Sequence, residues 1–161
     1  MKKIVSVLVT AISLVAIIFV AIFGTKPQGI VPKVYIESIT ILPSDNSQYV
    51  EKTDTEPAKM LLTYDSSNEV IYDDICYMPY IFKTQIVPEN ATDRSFYYYV
   101  DDNSKTYMDF PPNSENASSR GAFLVRKHTD IRFAIVDVHC KTLDGGKADI
   151  STLRIVIDYG Q

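Results

Sequence analysis

Few side chains in this 161-residue chain are of the types that usually do chemistry, since it has only two histidines and two cysteines. The sequence contains no Gly-x-Ser-x-Gly nucleophile elbow, no His-Glu-x-x-His metal motif and no glycine-rich phosphate loop. A zinc site needs three or four convergent ligands, and His128 and His139 are too few to anchor one. We therefore predict that the chain is not an enzyme and that it binds no cofactor or metal.

The two cysteines, Cys76 and Cys140, are far enough apart in the sequence to join the two sheets of a sandwich. The strands predicted around them place Cys76 at or before the start of one strand. Cys140 lies at the end of another strand that runs roughly the same way. Their Cα atoms are then farther apart than the ~7 Å that a disulfide tolerates. We expect two small hydrophobic side chains here, with the disulfide as the alternative.

Acidic turns supply the other candidate ligands, at Asp73-Asp74, Asp101-Asp102-Asn103 and Asp144-Gly145-Gly146. Calcium takes roughly 6–8 oxygen ligands, and none of these segments has the Asp-x-Asp-x-Asp-Gly spacing of a calcium loop. Asp and Asn stabilise turns through their own side chains. We predict turns, and not calcium sites, at all three places.

The aromatic run from Phe96 to Tyr99 is the most promising contact surface. On a strand, alternation points Phe96 and Tyr98 to one face and Tyr97 and Tyr99 to the other. Exposed tyrosine pairs are favoured in contacts with proteins and carbohydrates. The alternative is that Tyr97 and Tyr99 cover a sheet edge or pack on a neighbouring loop.

Strands must position these residues, because the chain is rich in tyrosine, phenylalanine and β-branched residues and shows no convincing helical periodicity after residue 33. We predict an all-β, antiparallel sandwich with a polar loop at 43–58 and a hairpin around Asp65–Asn68. The predicted strands are 34–42, 59–64, 69–76, 80–87, 95–101, 105–110, 122–126, 131–141 and 150–158.

The N-terminal segment Ile4 to Phe23 holds 20 residues without a charge, enough for a helix that crosses a hydrocarbon core of ~30 Å. Lys2 and Lys3 precede it, which favours a cytoplasmic N-terminus. The segment is longer than the apolar region of a cleaved signal peptide, and it lacks a suitable small-x-small cleavage site. We predict a signal anchor at 1–24, a linker at 25–33 and one domain at 34–161. Cleavage and secretion are the alternative.

The charge balance narrows the class of partner. Apart from Lys2 and Lys3, the chain has 14 basic and 20 acidic residues. A mildly acidic domain argues against binding to nucleic acid or to anionic lipid, because both require a basic face.

Residues 82–102 (FKTQIVPENATDRSFYYYVDD) carry a more specific pattern. Phe82, Thr84 and Ile86 alternate toward the core, a corner at Pro88–Thr92 follows, and the next strand has Tyr98 at its centre. This arrangement resembles the bacterial Ig-like group 2 family, the module repeated in intimin- and invasin-type surface proteins. The resemblance extends to 37–41, to 121–125, to Ala134, Val136 and Val138, and to 144–157.

Two departures from the family pattern have structural consequences. Residues 43–79 form a longer connection that adds an extra hairpin, and Tyr98 stands where the family usually has tryptophan. The hydroxyl of Tyr98 must therefore reach a polar partner or the rim of the sandwich.

The resemblance implies a surface-exposed structural or binding module and no particular reaction. With the N-terminal segment, it predicts a single-pass bacterial membrane protein held by residues 4–23, with an extracytoplasmic Ig-like domain. This domain is expected to make structural or adhesive contacts with a protein or glycan that the sequence does not identify. A carbohydrate-binding sandwich that uses Tyr97 and Tyr99 is the alternative.

Overall fold

The computed structural model describes residues 31–45, 47–112, 114, 117–145 and 150–160. The chain divides into two units between Pro32 and Lys33, and the fold below is that of the second unit. The predicted signal anchor at 1–24 and most of the predicted linker at 25–33 lie outside the described residues. Among the residues that are described, no helix is long and apolar enough to span a bilayer.

Strands dominate the described part of the chain, as predicted. They are β1 (Ser38–Leu42), β2 (Gln48–Val50), β3 (Ala58–Thr63), β4 (Val70–Tyr72), β5 (Ile75–Ile81), β6 (Lys83–Val87), β7 (Phe96–Val100), β8 (Met108–Asp109), β9 (Ala122–Arg126), β10 (Phe133–Thr142) and β11 (Ile150–Asp158). Within the described ranges, the helical elements are a 3-10 turn at Ser66–Asn68 and a one-turn helix α1 (Ala117–Arg120).

The strands form three sheets, with orders β2-β3-β11-β10-β7, β4-β5-β9-β8 and β1-β6. Their inward side chains share one hydrophobic core, so the all-β, sandwich-like class is confirmed. The expectation of purely antiparallel sheets is wrong at one place, because β3 pairs with β11 in parallel. This pairing places the third strand in chain order beside the last described strand.

The predicted hairpin around Asp65–Asn68 does not form, because β3 and β4 belong to different sheets. The Asp65 carboxylate instead accepts a hydrogen bond from the Ser67 amide at 2.9 Å and caps the 3-10 turn. The hairpin lies one strand later, between β4 and β5. There Asp73 and Asp74 adopt φ values of 47° and 61°, the left-handed conformation that tight hairpin turns require. This turn also splits the single strand predicted at 69–76.

Two further differences between the predicted and the observed strands concern β2 and the strand predicted at 80–87. β2 lies within the segment predicted as a polar loop, where it pairs with β3. The strand predicted at 80–87 is divided at Phe82, where the chain leaves the four-stranded sheet as β5 and enters the pair with β1 as β6. The Phe82 amide donates to the Gly121 carbonyl at 2.9 Å, which anchors this change of sheet.

Tyr98 lies at the centre of the core and is 1% exposed. Its hydroxyl is hydrogen-bonded to the Thr84 hydroxyl at 2.6 Å and lies 3.3 Å from the Lys83 carbonyl, so the prediction of a polar partner is confirmed. The rings of Phe82 and Phe123 pack around it, with centroids 6.3 and 5.9 Å away. Burial raises the pKa of the Tyr98 hydroxyl well above its usual value.

The corner after β6 ties the start of the domain to the sandwich. The Ala91 amide donates to the Pro88 carbonyl at 3.1 Å, which closes the turn. Thr92 and Val34 exchange two hydrogen bonds, from the Thr92 amide to the Val34 carbonyl at 2.8 Å and from the Val34 amide to the Thr92 hydroxyl at 2.9 Å. The corner therefore fixes the chain that leads into β1.

Candidate functional site

Tyr97 and Tyr99 lie on the outer face of the five-stranded sheet, at its β7 edge. Tyr98 and Val100 of the same strand are buried, while Tyr97 and Tyr99 are partly exposed, so the predicted alternation is correct for the three tyrosines. The rings of Tyr97 and Tyr99 are 5.9 Å apart and tilted by 36°. Phe96 is only partly buried, because it is the first residue of the strand.

His139 packs against this tyrosine pair. Its ring stacks on Tyr99 with centroids 4.8 Å apart and an interplanar angle of 21°. Its Nδ1 atom lies 2.9 Å from the Thr152 hydroxyl, and its Nε2 atom lies 3.6 Å from an Asp101 carboxylate oxygen. One face of Tyr99 is therefore covered, and burial raises the pKa of its hydroxyl.

Apolar side chains continue across the same face of the sheet. The strand register aligns Leu61 of β3, Val156 of β11 and Ile135 of β10 in one row, and Phe133 lies two residues before Ile135. We call these four residues the outer apolar row. Ile135 is 63% exposed and Phe133 is 50% exposed, although the other face of β10 is buried. Sequence reasoning missed this row, since only the alternation of Phe133 and Ile135 with buried Ala134 signals it.

An ion pair borders the row. Arg154 binds Asp137 through two hydrogen bonds, both 2.8 Å long, and the register places the two residues side by side on β11 and β10. The guanidinium holds the pKa of the Asp137 carboxyl below its usual range. This part of the face is therefore pre-organised, because a two-bond arginine–carboxylate pair has a defined geometry.

The two cysteines lie in different sheets, Cys76 on β5 and Cys140 on β10, and both are free thiols. Cys140 is fully buried, and burial raises the pKa of its thiol to about 12. Such a thiol is unreactive at neutral pH, because the thiolate is the nucleophile. Cys76 is partly exposed, and its carbonyl accepts a hydrogen bond from the Lys127 amide at 2.9 Å.

A cluster of two tyrosines and an ion pair lies where β3, β4 and β11 reach the same end of the sandwich. Lys127 binds Glu69 at 2.7 Å, and the rings of Tyr64 and Tyr159 are 5.6 Å apart. The buried hydroxyl of Tyr159 has no hydrogen-bond partner within the described part of the chain, while burial and the neighbouring Glu69 carboxylate raise the pKa of Tyr64. Burial raises the pKa of Tyr159 to about 12, so its hydroxyl stays protonated. The cluster is more suited to packing than to acid–base chemistry.

The predicted acidic turns occupy three different places. Asp73 and Asp74 form the β4–β5 turn, and Asp101 begins the turn after β7. Asp144 is only 2% exposed and accepts the Ile36 amide at 2.6 Å, so it fastens the chain before β1, and Gly146 lies outside the described residues. In the described ranges, no group of three or more His, Cys, Asp or Glu side chains is placed to hold a metal ion.

Comparison with family models, with curated proteins and with solved structures finds no significant match to this chain. The class that the fold itself defines is an all-β protein with a sandwich-like packing of sheets.

Proposed function

We propose that this chain is a bacterial cell-surface protein with a non-catalytic, Ig-like domain that binds a protein partner through the outer face of its five-stranded sheet. The uncharged segment Ile4–Phe23 behind Lys2 and Lys3 supports export and anchoring. The pattern at 82–102 supports the Ig-like assignment. Secretion after cleavage of the N-terminal segment remains the alternative localisation.

The observation that carries the protein-binding proposal is the exposure of the outer apolar row. Ile135 is 63% exposed and Phe133 is 50% exposed, although both belong to a strand whose other face is buried. Contiguous apolar side chains on a soluble surface mark interaction sites, because their contact with water costs free energy that a partner relieves.

The surroundings of the row also match the composition of protein interfaces. Tyrosine and arginine are enriched at such interfaces, and Tyr97, Tyr99 and Arg154 lie on the same face. The acidic balance of the domain is poorly suited to nucleic acid. A protein partner is therefore the occupant that the chemistry of this face favours.

Site-specific photo-crosslinking on intact host cells tests this proposal. A photoreactive residue replaces Ile135 in the full chain, and the same residue replaces Ile71 in a matched variant. Ile71 is 69% exposed but lies in the four-stranded sheet. We expect a discrete protein adduct from position 135 and none from position 71. Equal labelling at both positions, or none at 135, contradicts the proposal.

A second candidate function is carbohydrate binding by Tyr97 and Tyr99. The observation in its favour is the pair of rings, 5.9 Å apart, on an accessible face. The cover that His139 provides over one face of Tyr99 reduces the stacking surface open to a sugar. Sugar binding that survives replacement of both tyrosines by alanine removes this candidate.

A further inference from the structure

A groove of about 240 Å³ lies on the outer face of the four-stranded sheet. The register pairs Tyr77 of β5 with Arg126 of β9, and Tyr72 of β4 with Ile75 of β5. Alternation points these side chains away from the core, because their neighbour Met78 is buried. We call this cavity the β5–β9 groove. It lies on a different sheet from Tyr97, Tyr99 and the outer apolar row.

The floor of the groove is apolar and shielded. Leu124 faces outward on β9, since it alternates with the core residues Phe123 and Val125, yet it is only 3% exposed. Phe110 and Pro112, which follow β8, line the same cavity. The register places Leu124 between Pro79 of β5 and Asp109 of β8. The segment that follows β8 borders the groove at Phe110 and Pro112, while the Phe110 ring itself packs on the core residue Phe123.

Another side of the groove is aromatic. The rings of Tyr72 and Tyr77 are 6.3 Å apart at 63°, an edge-to-face contact that leaves ring surface open toward the groove. Tyr72 is 40% exposed. The C–H groups of a sugar ring pack against such surfaces, and the tyrosine hydroxyls can donate to and accept from its hydroxyl groups.

The rim carries charges of both signs in equal number, namely Arg126, Lys105, Asp73 and Asp109. Lys105 is already bound to Asp102 at 2.8 Å. Arg126 lines the cavity, and among the described residues it makes no ion pair. The balance of charges gives no preference for an ionic ligand, whereas the mixture of donors and acceptors suits hydroxyl groups, which both donate and accept.

We propose that the β5–β9 groove binds a single neutral sugar residue. Its volume lies below the roughly 300–1,000 Å³ of sites for drug-sized ligands, which fits one monosaccharide unit, free or at the end of a glycan. Tyr72 and Tyr77 contact the ring, and Arg126 and Asp109 bind hydroxyl groups. This site goes beyond the proposed function and does not depend on it, because it uses other residues on another sheet.

Saturation-transfer NMR and calorimetric titration of the full chain test the site. The chain is kept in a zwitterionic detergent without a sugar headgroup, because a glycoside detergent would compete. The probes are glucose, galactose, mannose and N-acetylglucosamine, with glucuronic acid and glucosamine as charged counterparts. We expect saturable binding of at least one neutral sugar with a Kd of about 1 mM, which corresponds to about −4 kcal/mol.

Matched variants locate the binding. Tyr77→Ala and Arg126→Ala are each expected to weaken it at least about tenfold, whereas Tyr77→Phe keeps the ring and most of the affinity. Arg132→Ala is the control, since Arg132 is an exposed arginine outside the groove. Its affinity is expected to equal that of the unchanged chain.

Several results overturn the proposal. One is that no neutral sugar saturates the chain at tens of millimolar. Another is that a charged sugar binds more tightly than the neutral ones. The third is that Tyr77→Ala and Arg126→Ala both keep full affinity. Loss of binding in the Tyr97→Ala/Tyr99→Ala double variant alone moves the sugar site to the five-stranded sheet. None of these outcomes bears on the crosslinking at Ile135, so failure of the two proposals is distinguishable.

Discussion

At the scale of single residues, Tyr98 and Gly121 depend on each other. Gly121 has a φ of +63°, and a Cβ atom there would lie 2.8 Å from the Cε2 atom of Tyr98 and 3.2 Å from the Phe82 carbonyl oxygen. Such distances are far shorter than normal carbon contacts. The ring that fills the core therefore requires a residue without a side chain at the point where the chain enters β9.

We predict that Gly121→Ala lowers the free energy of unfolding by about 2–5 kcal/mol, measured by urea denaturation of the full chain. The positive φ accounts for about 1–2 kcal/mol, and the contact with Tyr98 adds about 1–3 kcal/mol. Gly160→Ala is the control, because Gly160 has a φ of +71° but no atom within 4 Å of the added Cβ. Equal losses of unfolding free energy in Gly121→Ala and Gly160→Ala contradict the view that the Tyr98 ring excludes a side chain at position 121.

At the scale of elements, the β4–β5 hairpin sets the position of Tyr72 and Asp73 at the groove. Its turn places two non-glycine residues, Asp73 and Asp74, at positive φ, and it brings two like charges together. Positive φ at a non-glycine residue and repulsion between two carboxylates both cost free energy. The two φ values are nevertheless those of a mirror-image hairpin turn, whose twist matches that of the strands. The turn therefore has the backbone geometry that a two-residue hairpin requires, but its two aspartates make it less stable than other residues would.

Replacing Asp74 with glycine is expected to raise the free energy of unfolding by about 1 kcal/mol, because glycine occupies positive φ without a steric penalty. Thermal and urea denaturation of the full chain measure the change. Asp54→Gly is the control, since Asp54 is an exposed loop residue without positive φ, and we expect it to be neutral or slightly destabilising. A loss of stability in Asp74→Gly contradicts the turn assignment.

The local pattern of the sequence predicted individual strands well and their partners poorly. β9 has the predicted bounds, and so does β11, because alternation and flanking turn residues act over a few positions. The parallel pairing of β3 with β11 was missed, since it depends on residues far apart in the chain.

The candidate sites show the same contrast between features set by local sequence and features set by long-range strand pairing. The outward direction of Tyr97 and Tyr99 follows from alternation within one strand. The β5–β9 groove depends on the pairing of Tyr77 with Arg126 and on the segment after β8. No local pattern indicates either feature, because the pairing is set by the packing of the whole sandwich.

At the scale of the whole molecule, the core encloses ionisable groups that are stable only in their neutral form. Cys140 and Tyr159 have pKa values raised to about 12 by burial, and the pKa of Tyr98 is raised by the same cause. Each of these groups binds its proton more tightly in the folded chain than in the unfolded chain. Their contribution to stability is complete below the unfolded pKa values and is lost as the pH rises toward the folded ones.

We predict that the free energy of unfolding is nearly constant between about pH 7 and 8.5 and falls steeply between about pH 9 and 12. One buried group contributes a slope of at most about 1.4 kcal/mol per pH unit. Urea denaturation at a series of pH values measures this slope. Cys140→Ala should make it shallower from about pH 9 upward, whatever its effect on stability at pH 7. An unchanged slope in this variant contradicts the assignment to the Cys140 thiol.

The position of β11 between β3 and β10 also has a consequence for how the chain is made. β11 is the last strand in chain order, yet it is a central strand of the five-stranded sheet, and β3 has only the three-residue β2 as its other neighbour. At about 5–20 residues per second, a ribosome takes several seconds to add the residues between β3 and β11. Until β11 has been added, β3 and β10 lack the strand that joins them, so the five-stranded sheet forms only after the residues of β11 are available.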